Sequence, residues 1–249
     1  MPGLLHNWRH PRKCYLICAV ARSGSNLLSD GLRDTGRAGR PNQFFLASSE
    51  PQFRAAHHFA PEVKFADYVR GIVTKSATSN EVFGFKLMGW YLNEFLVRLR
   101  QTGEFGDSEA SDLEMLVAAF PRLRFLQITR RDKLRQAISK ARAAQTGLWK
   151  VQEGKSEKAE PVYDRALIAR ALLEAEEEEK IWNAFFTRID RQPFQVEYEQ
   201  LCRDFAGTLT AVLDFLEIRL RWGTQIRPPA TIRQGDALSD EWERRFRAG

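Results

Sequence analysis

The sequence predicts a single α/β domain over residues 1–249, with a mainly parallel central sheet flanked by helices. Three observations carry this. Short apolar runs of β character alternate with segments of helical periodicity. No internal repeat or low-complexity linker divides the chain. At 249 residues, 43% of them hydrophobic, it is long enough for one sizeable core.

The elements follow in order. Tyr15–Val20, in the run CYLICAV, is the first strand, and it ends abruptly in the small polar turn Arg22-Ser-Gly-Ser-Asn26. Asn26–Thr35 is a helix with Leu27, Leu28 and Leu32 on one face and Gly36 as its C-cap. Phe65–Lys75 is helical. Val82–Met88 (VFGFKLM) is the second strand, and Tyr91–Gln101 is a helix ended by Gly103. Ser108–Ala119 is a helix stopped at the Phe120-Pro121 step. Arg124–Thr129 is the third strand and Lys133–Trp149 the helix after it. The polar stretch 150–160 reads as a loop, and Asp164–Ile189 as the longest helix. Phe194–Tyr198 is the fourth strand and Thr208–Leu216 a helix. The C-terminal stretch is irregular around Pro228-Pro229, with a short helix after Ser239.

Composition narrows the class. Charged residues make up 28% and mean hydropathy is -0.42. No apolar run approaches the roughly 20 residues of a spanning helix, and the first residues do not read as a signal peptide. The three cysteines have no paired spacing, so a metal or disulfide framework is not expected and a reducing cytoplasm is the expected compartment. Net charge is +6 and pI about 9.4. The excess is local: residues 122–142 hold eight Lys/Arg against the single acid Asp132. Such a cluster suits an anion. Aromatic interleaving for base stacking is poor there, so no nucleic-acid partner is expected.

In parallel sheets, ligands bind where strands end and helices begin. Two such turns stand out. At Arg22–Asn26, Gly24 frees the backbone, Ser23 and Ser25 add hydroxyls, and Arg22 adds charge at a helix N-terminus. That combination suits a phosphate. It also suits an ordinary tight turn with an N-cap serine. The pattern G-x-x-x-x-G-K-[ST] of triphosphate-binding loops is absent. At the second turn, Arg130 ends a strand and Ser139 lies inside the next helix. The pair can clamp a second phosphate, or can be plain surface arginine and neutral helix serine.

Four segments run in family order: YLICAVARSGSNLLSDGLRDTGRAGRPNQFF, VFGFKLM, ITRRDKLRQAISKARAAQTGLW and IRQGDALSDEWERRFR. In them the chain resembles bacterial carbohydrate sulfotransferases of the mycobacterial trehalose 2-sulfotransferase type. The resemblance implies a P-loop-like sulfotransferase fold. It implies 3′-phosphoadenosine-5′-phosphosulfate (PAPS) as co-substrate, no metal, a saccharide or glycolipid acceptor (trehalose-like sugars included) and a homodimer. By the same resemblance, Arg22, Ser23, Gly24, Ser25, Asn26 and Leu27 hold the 5′-phosphosulfate. Arg130 and Ser139 clamp the 3′-phosphate, with Arg233 as a late basic contact. Lys86, in VFGFKLM, supplies a cation near the transferring group. Phe45, Gln145 and Trp149 face the acceptor; Phe45 and Trp149 equally suit packing.

One position departs from the pattern. Where the family carries a glutamate before F-F as its base, this chain has Gln43. An amide can hydrogen-bond a hydroxyl but cannot take its proton at neutral pH. Three readings stand: an introduced Glu-to-Gln replacement, another base such as His57, His58 or Glu50, or a slow or silent homologue that binds nucleotide or polyanion.

Overall fold

A computed structural model describes residues 11–149, 160–228 and 237–249. Its sheet has four strands: β1 (Lys13–Ala19), β2 (Val82–Met88), β3 (Arg124–Thr129) and β4 (Phe194–Glu197). Their order is β2-β1-β3-β4 and every pairing is parallel. Parallel neighbours need crossover connections, and helices supply them. These are α1 (Ser25–Asp34), α2 (Glu50–Ala56), α3 (Phe65–Ser76), α4 (Gly89–Gln101), α5 (Asp112–Ala119), α6 (Lys133–Thr146) and α7 (Arg165–Ile189). After β4 come α8 (Tyr198–Arg203), α9 (Phe205–Phe215) and α10 (Ala237–Ala248). No helix among the described residues is long and apolar enough to cross a membrane.

β1 and β2 are buried almost throughout, as strands covered on both faces must be. On one side, Phe44, Phe45, Phe83, Phe85, Phe95 and Phe120 form a continuous aromatic cluster. Phe45 is 1% exposed inside it, stacked on Phe95 at 5.0 Å. This corrects the expectation that Phe45 faces the acceptor: it is core. Across the strands, Gly84 makes room for Tyr15, whose ring would lie 2.2 Å from any Cβ there. Trp182 of α7 donates its indole N–H to the Ala19 carbonyl at 2.9 Å, tying the longest helix to the end of β1. A smaller cluster forms where Trp242 of α10 packs on Ala137, Ile138 and Ala141 of α6 and on Ile168 and Ala171 of α7.

Several boundaries differ from the sequence reading for local reasons. α5 begins at Asp112, not Ser108, because Ser111 and Glu114 form a reciprocal capping box. α6 stops at Thr146 because Gly147 takes the left-handed conformation as its C-cap. Tyr198 opens α8 rather than extending β4, and α2 was not anticipated.

Candidate functional site

Register brings the site together. Ala19 is level with Met88 on one side and Ile128 on the other, and Thr129 is level with Glu197. The residues just past those ends are Arg22–Leu27, Gly89-Trp90, Arg130 and Tyr198. They all leave the sheet at one edge, and a cavity of about 700 Å³ opens there. Its size is typical of a small-molecule pocket. Arg22, Gly24, Ser25, Asn26, Leu27, Gln43, Arg130, Ser139 and Trp149 all line it.

The first turn is strained toward one shape. Arg22 has φ 63° and Gly24 φ 93°. Gly24 is the N-cap of α1, and no side chain caps that helix, so the turn is not the ordinary serine-capped kind. The Ser23 hydroxyl is buried and has no partner among the described residues. A buried, unpaired hydroxyl is costly unless a ligand satisfies it.

The second turn folds onto the first. Arg22 Nε donates to Ser139 Oγ at 2.9 Å and its Nη1 to the Trp149 carbonyl at 2.5 Å. Arg130 Nη1 reaches the Arg22 carbonyl at 3.4 Å, and its guanidinium lies 4.6 Å over the Tyr198 ring. Arg130 Nε is buried without a partner among the described residues. Burial above all, and then Arg130 and Arg142, lower the Arg22 pKa to about 10. Arg22 therefore stays protonated near neutrality, inside a crowd of cations. Crowded guanidinium groups with unused donors form a site for a multiply charged anion.

Lys86 lies beneath this loop rather than at a solvent-facing strand end. It is 2% exposed, and its Nζ donates to Asn26 Oδ1 at 2.6 Å. The stretch carrying Gln43 is fixed against β2. Lys86 N–H donates to the Asn42 carbonyl at 3.0 Å, and the Gly39 backbone passes so near Gly84 that a Cβ would sit 2.8 Å from its nitrogen. Gln43 Oε1 accepts from the Tyr91 hydroxyl at 3.4 Å.

The other sequence candidates are placed elsewhere. Gln145 does not line the cavity; it exchanges two hydrogen bonds with the Val162 backbone, at 2.9 and 2.7 Å. Arg233 lies outside the described residues. Glu50 is buried between Arg54 at 2.8 Å and Arg98 at 2.6 Å. His57 has its pKa lowered, by burial first and then by Lys75, Arg40 and His58. Neither histidine nor Glu50 lines the cavity. Sequence reasoning missed Tyr198, Trp90, Arg135 and Lys140, which do. Tyr198 and Trp90 sit directly after strand ends, and the rule that ligands bind at strand ends could have found them.

Fold and site together define an α/β protein that gathers a cationic cavity, chemically suited to an anion, at the C-terminal edge of its sheet. The model of the Stf0 sulphotransferase family matches residues 14–249, and the chain belongs to that family, a family of sulfotransferase enzymes. A trehalose 2-sulfotransferase of Mycolicibacterium smegmatis is 31% identical to it over 96% of this chain and 95% of its own length. One from Mycobacterium tuberculosis is 28% identical over 94% of each. The sulfotransferase domain from the Synechococcus PCC 7002 olefin synthase aligns over 95% of this chain and 91% of its own, with a TM-score of 0.47 and 14% identity.

Proposed function

We propose that this chain moves a sulfuryl group from PAPS to a hydroxyl of a saccharide or glycolipid, with trehalose-like sugars as the first acceptors to try. The observation that carries this reading is the convergence of Arg22, Arg130 and Ser139 on one cavity, beside two buried donors without partners among the described residues, Ser23 Oγ and Arg130 Nε. PAPS has two anionic ends, and the donor set fits both. Arg22–Leu27 would hold the 5′-phosphosulfate, while Arg130 and Ser139 would hold the 3′-phosphate. Family membership supports the same donor. When bound, PAPS supplies an activated sulfuryl group on a phosphate leaving group.

The chain's own residues then position and stabilise. Lys86 holds Asn26 and with it the first turn of α1. Gln43, anchored on Tyr91, offers an amide to the acceptor hydroxyl. Trp149, half-exposed at the cavity mouth, offers a flat apolar face to a sugar ring. The trehalose sulfotransferase relatives support a sugar acceptor, and a homodimer belongs to the same proposal.

Titration calorimetry with 3′-phosphoadenosine-5′-phosphate (PAP) against adenosine monophosphate tests the donor site. PAP is expected to bind more tightly, and Arg130→Ala to weaken PAP by about 10- to 100-fold while leaving the monophosphate nearly unchanged. Equal affinity for both nucleotides would sink the two-phosphate reading.

A further inference from the structure

With an amide at position 43, the proton of the incoming hydroxyl needs another destination. A carboxylate stands behind the same wall of the cavity. Glu178, on α7, is 4% exposed, and its Oε2 has no partner among the described residues. Its Oε1 lies 3.6 Å from Lys140 Nζ, and the backbone N–H of Trp90 donates toward the carboxylate. Lys140 and Trp90 both line the cavity. The approach is close because Gly89 has no side chain: a Cβ there would lie 2.8 Å from the Glu178 carbonyl oxygen. Tyr91, next in the chain, reaches Gln43 with its hydroxyl and senses the Glu178 charge. Gln43 and Glu178 thus flank one short segment, Trp90-Tyr91, whose Trp90 is 56% exposed and lines the cavity that Glu178 itself does not reach in this conformation.

We propose that Glu178 is the proton acceptor for the attacking hydroxyl, in the part an amide at position 43 cannot take. This rests on the sulfuryl-transfer reading above. The sugar oxygen forms a bond to sulfur. The bond from sulfur to the 5′-phosphate oxygen breaks and its electron pair leaves with PAP. The hydroxyl proton passes to Glu178 Oε2. Four groups face this carboxylate: Lys140 from α6, Glu174 one turn back on α7, and the Trp90 N–H and Tyr91 from α4. Burial raises its pKa to about 7 against the opposing pull of Lys140 and the Trp90 N–H, with Glu174 adding to the rise. A base tuned to neutrality is the most effective at neutral pH.

The test uses the full chain, radiolabelled PAPS and trehalose over a pH series. In the wild type, kcat is expected to rise with pH to a plateau with its midpoint near neutrality. Glu178→Gln should lower kcat by about 10²- to 10⁴-fold and abolish the acidic limb, with PAP affinity unchanged. Glu178→Asp should recover part of the rate. A second readout needs no turnover. The infrared difference between wild type and Glu178→Gln, with PAP bound, should show a carboxyl that titrates near neutrality and shifts when trehalose is added. Glu178→Gln with wild-type kcat and an intact acidic limb overturns the role of Glu178 and leaves the transfer reading standing. No transfer, with a band that still shifts on sugar addition, supports Glu178 as the contact to the hydroxyl and sinks the transfer reading. A band that titrates in the ordinary carboxylate range and ignores the sugar overturns the proposal whatever the rates.

Discussion

Gly24 meets two demands at a single Cα. Its φ of 93° is one that L side chains rarely adopt, and a Cβ there would lie 2.3 Å from Tyr198 Cδ2. Tyr198 in turn carries the Arg130 guanidinium on its ring face. A methyl at position 24 therefore displaces the ring, and the ring displaces a cation of the cradle. Gly24→Ala is expected to weaken PAP by at least about tenfold and to cost about 1–2 kcal/mol of stability. Calorimetry and a thermal melt measure the two. Gly36→Ala is the matched control: its φ is 64°, but open space surrounds it. It should cost similar backbone strain and leave PAP affinity intact; an equal loss of affinity in both variants would refute the steric chain through Tyr198. Residue by residue, Arg22–Asn26 was legible because polar residues with glycine break an apolar strand within one segment of chain. Tyr198 was not, because its partner Gly24 meets it only through the β1-β3-β4 register.

Among the elements, α10 controls how α6 is presented. Trp242 is 1% exposed against α6 and α7. Arg135 binds Asp240 at 2.6 Å and Glu243 at 2.5 Å, and Arg142 donates to Ser239 Oγ at 2.8 Å. The helix so gripped is the one that offers Ser139 and Lys140 to the cavity. Trp242→Ala should remove about 3–5 kcal/mol of local stability, read as lost amide exchange protection in α10 and α6 ahead of the sheet. Unchanged protection in α6 would show that α10 is a passenger. The same contacts explain why charge counting along 122–142 overstated a basic face. Arg124 pairs with Glu217, Arg131 with Glu197, Lys133 with Glu179 and Lys140 with Glu174, all acids distant in sequence. Of the remainder, Arg135 pairs with Asp240 and Glu243, and Arg130 lines the cavity. β1 and β2 were legible as apolar runs, and β3 and β4 as short stretches mixing apolar and polar residues between helical segments. The helices α2 and α8 were not, since seven and six residues hold too few turns for periodicity to show.

For the molecule as a whole, Glu178 makes stability depend on pH. Its folded pKa of about 7 lies above the ordinary value of 4.5. The folded state therefore binds the proton more tightly than the unfolded chain does. Its contribution is fully present below about pH 4.5 and is lost as pH rises through 7. Glu199 and Glu243 run the other way. Burial works against their charge, but backbone N–H donors of Arg131 and Asp132 for the first, and Arg135 and Arg247 for the second, hold both pKa values down. Their contribution fails on acidification below the ordinary carboxylate range. Between these limits Glu178 alone contributes a loss of on the order of 2–3 kcal/mol from pH 5 to pH 8, while His57, with its lowered pKa, works in the opposite direction. Glu178→Gln should flatten that decline, so urea unfolding should find it more stable than the wild type at pH 8 and nearly equal at pH 5. A buried ion pair kept only for structure behaves oppositely, because removing one partner leaves the other buried and uncompensated. If Glu178→Gln is the less stable chain at pH 8, the carboxylate is a tether for Lys140. If it is more stable and much slower, a costly buried charge has been retained for the reaction, as expected where activity and stability compete.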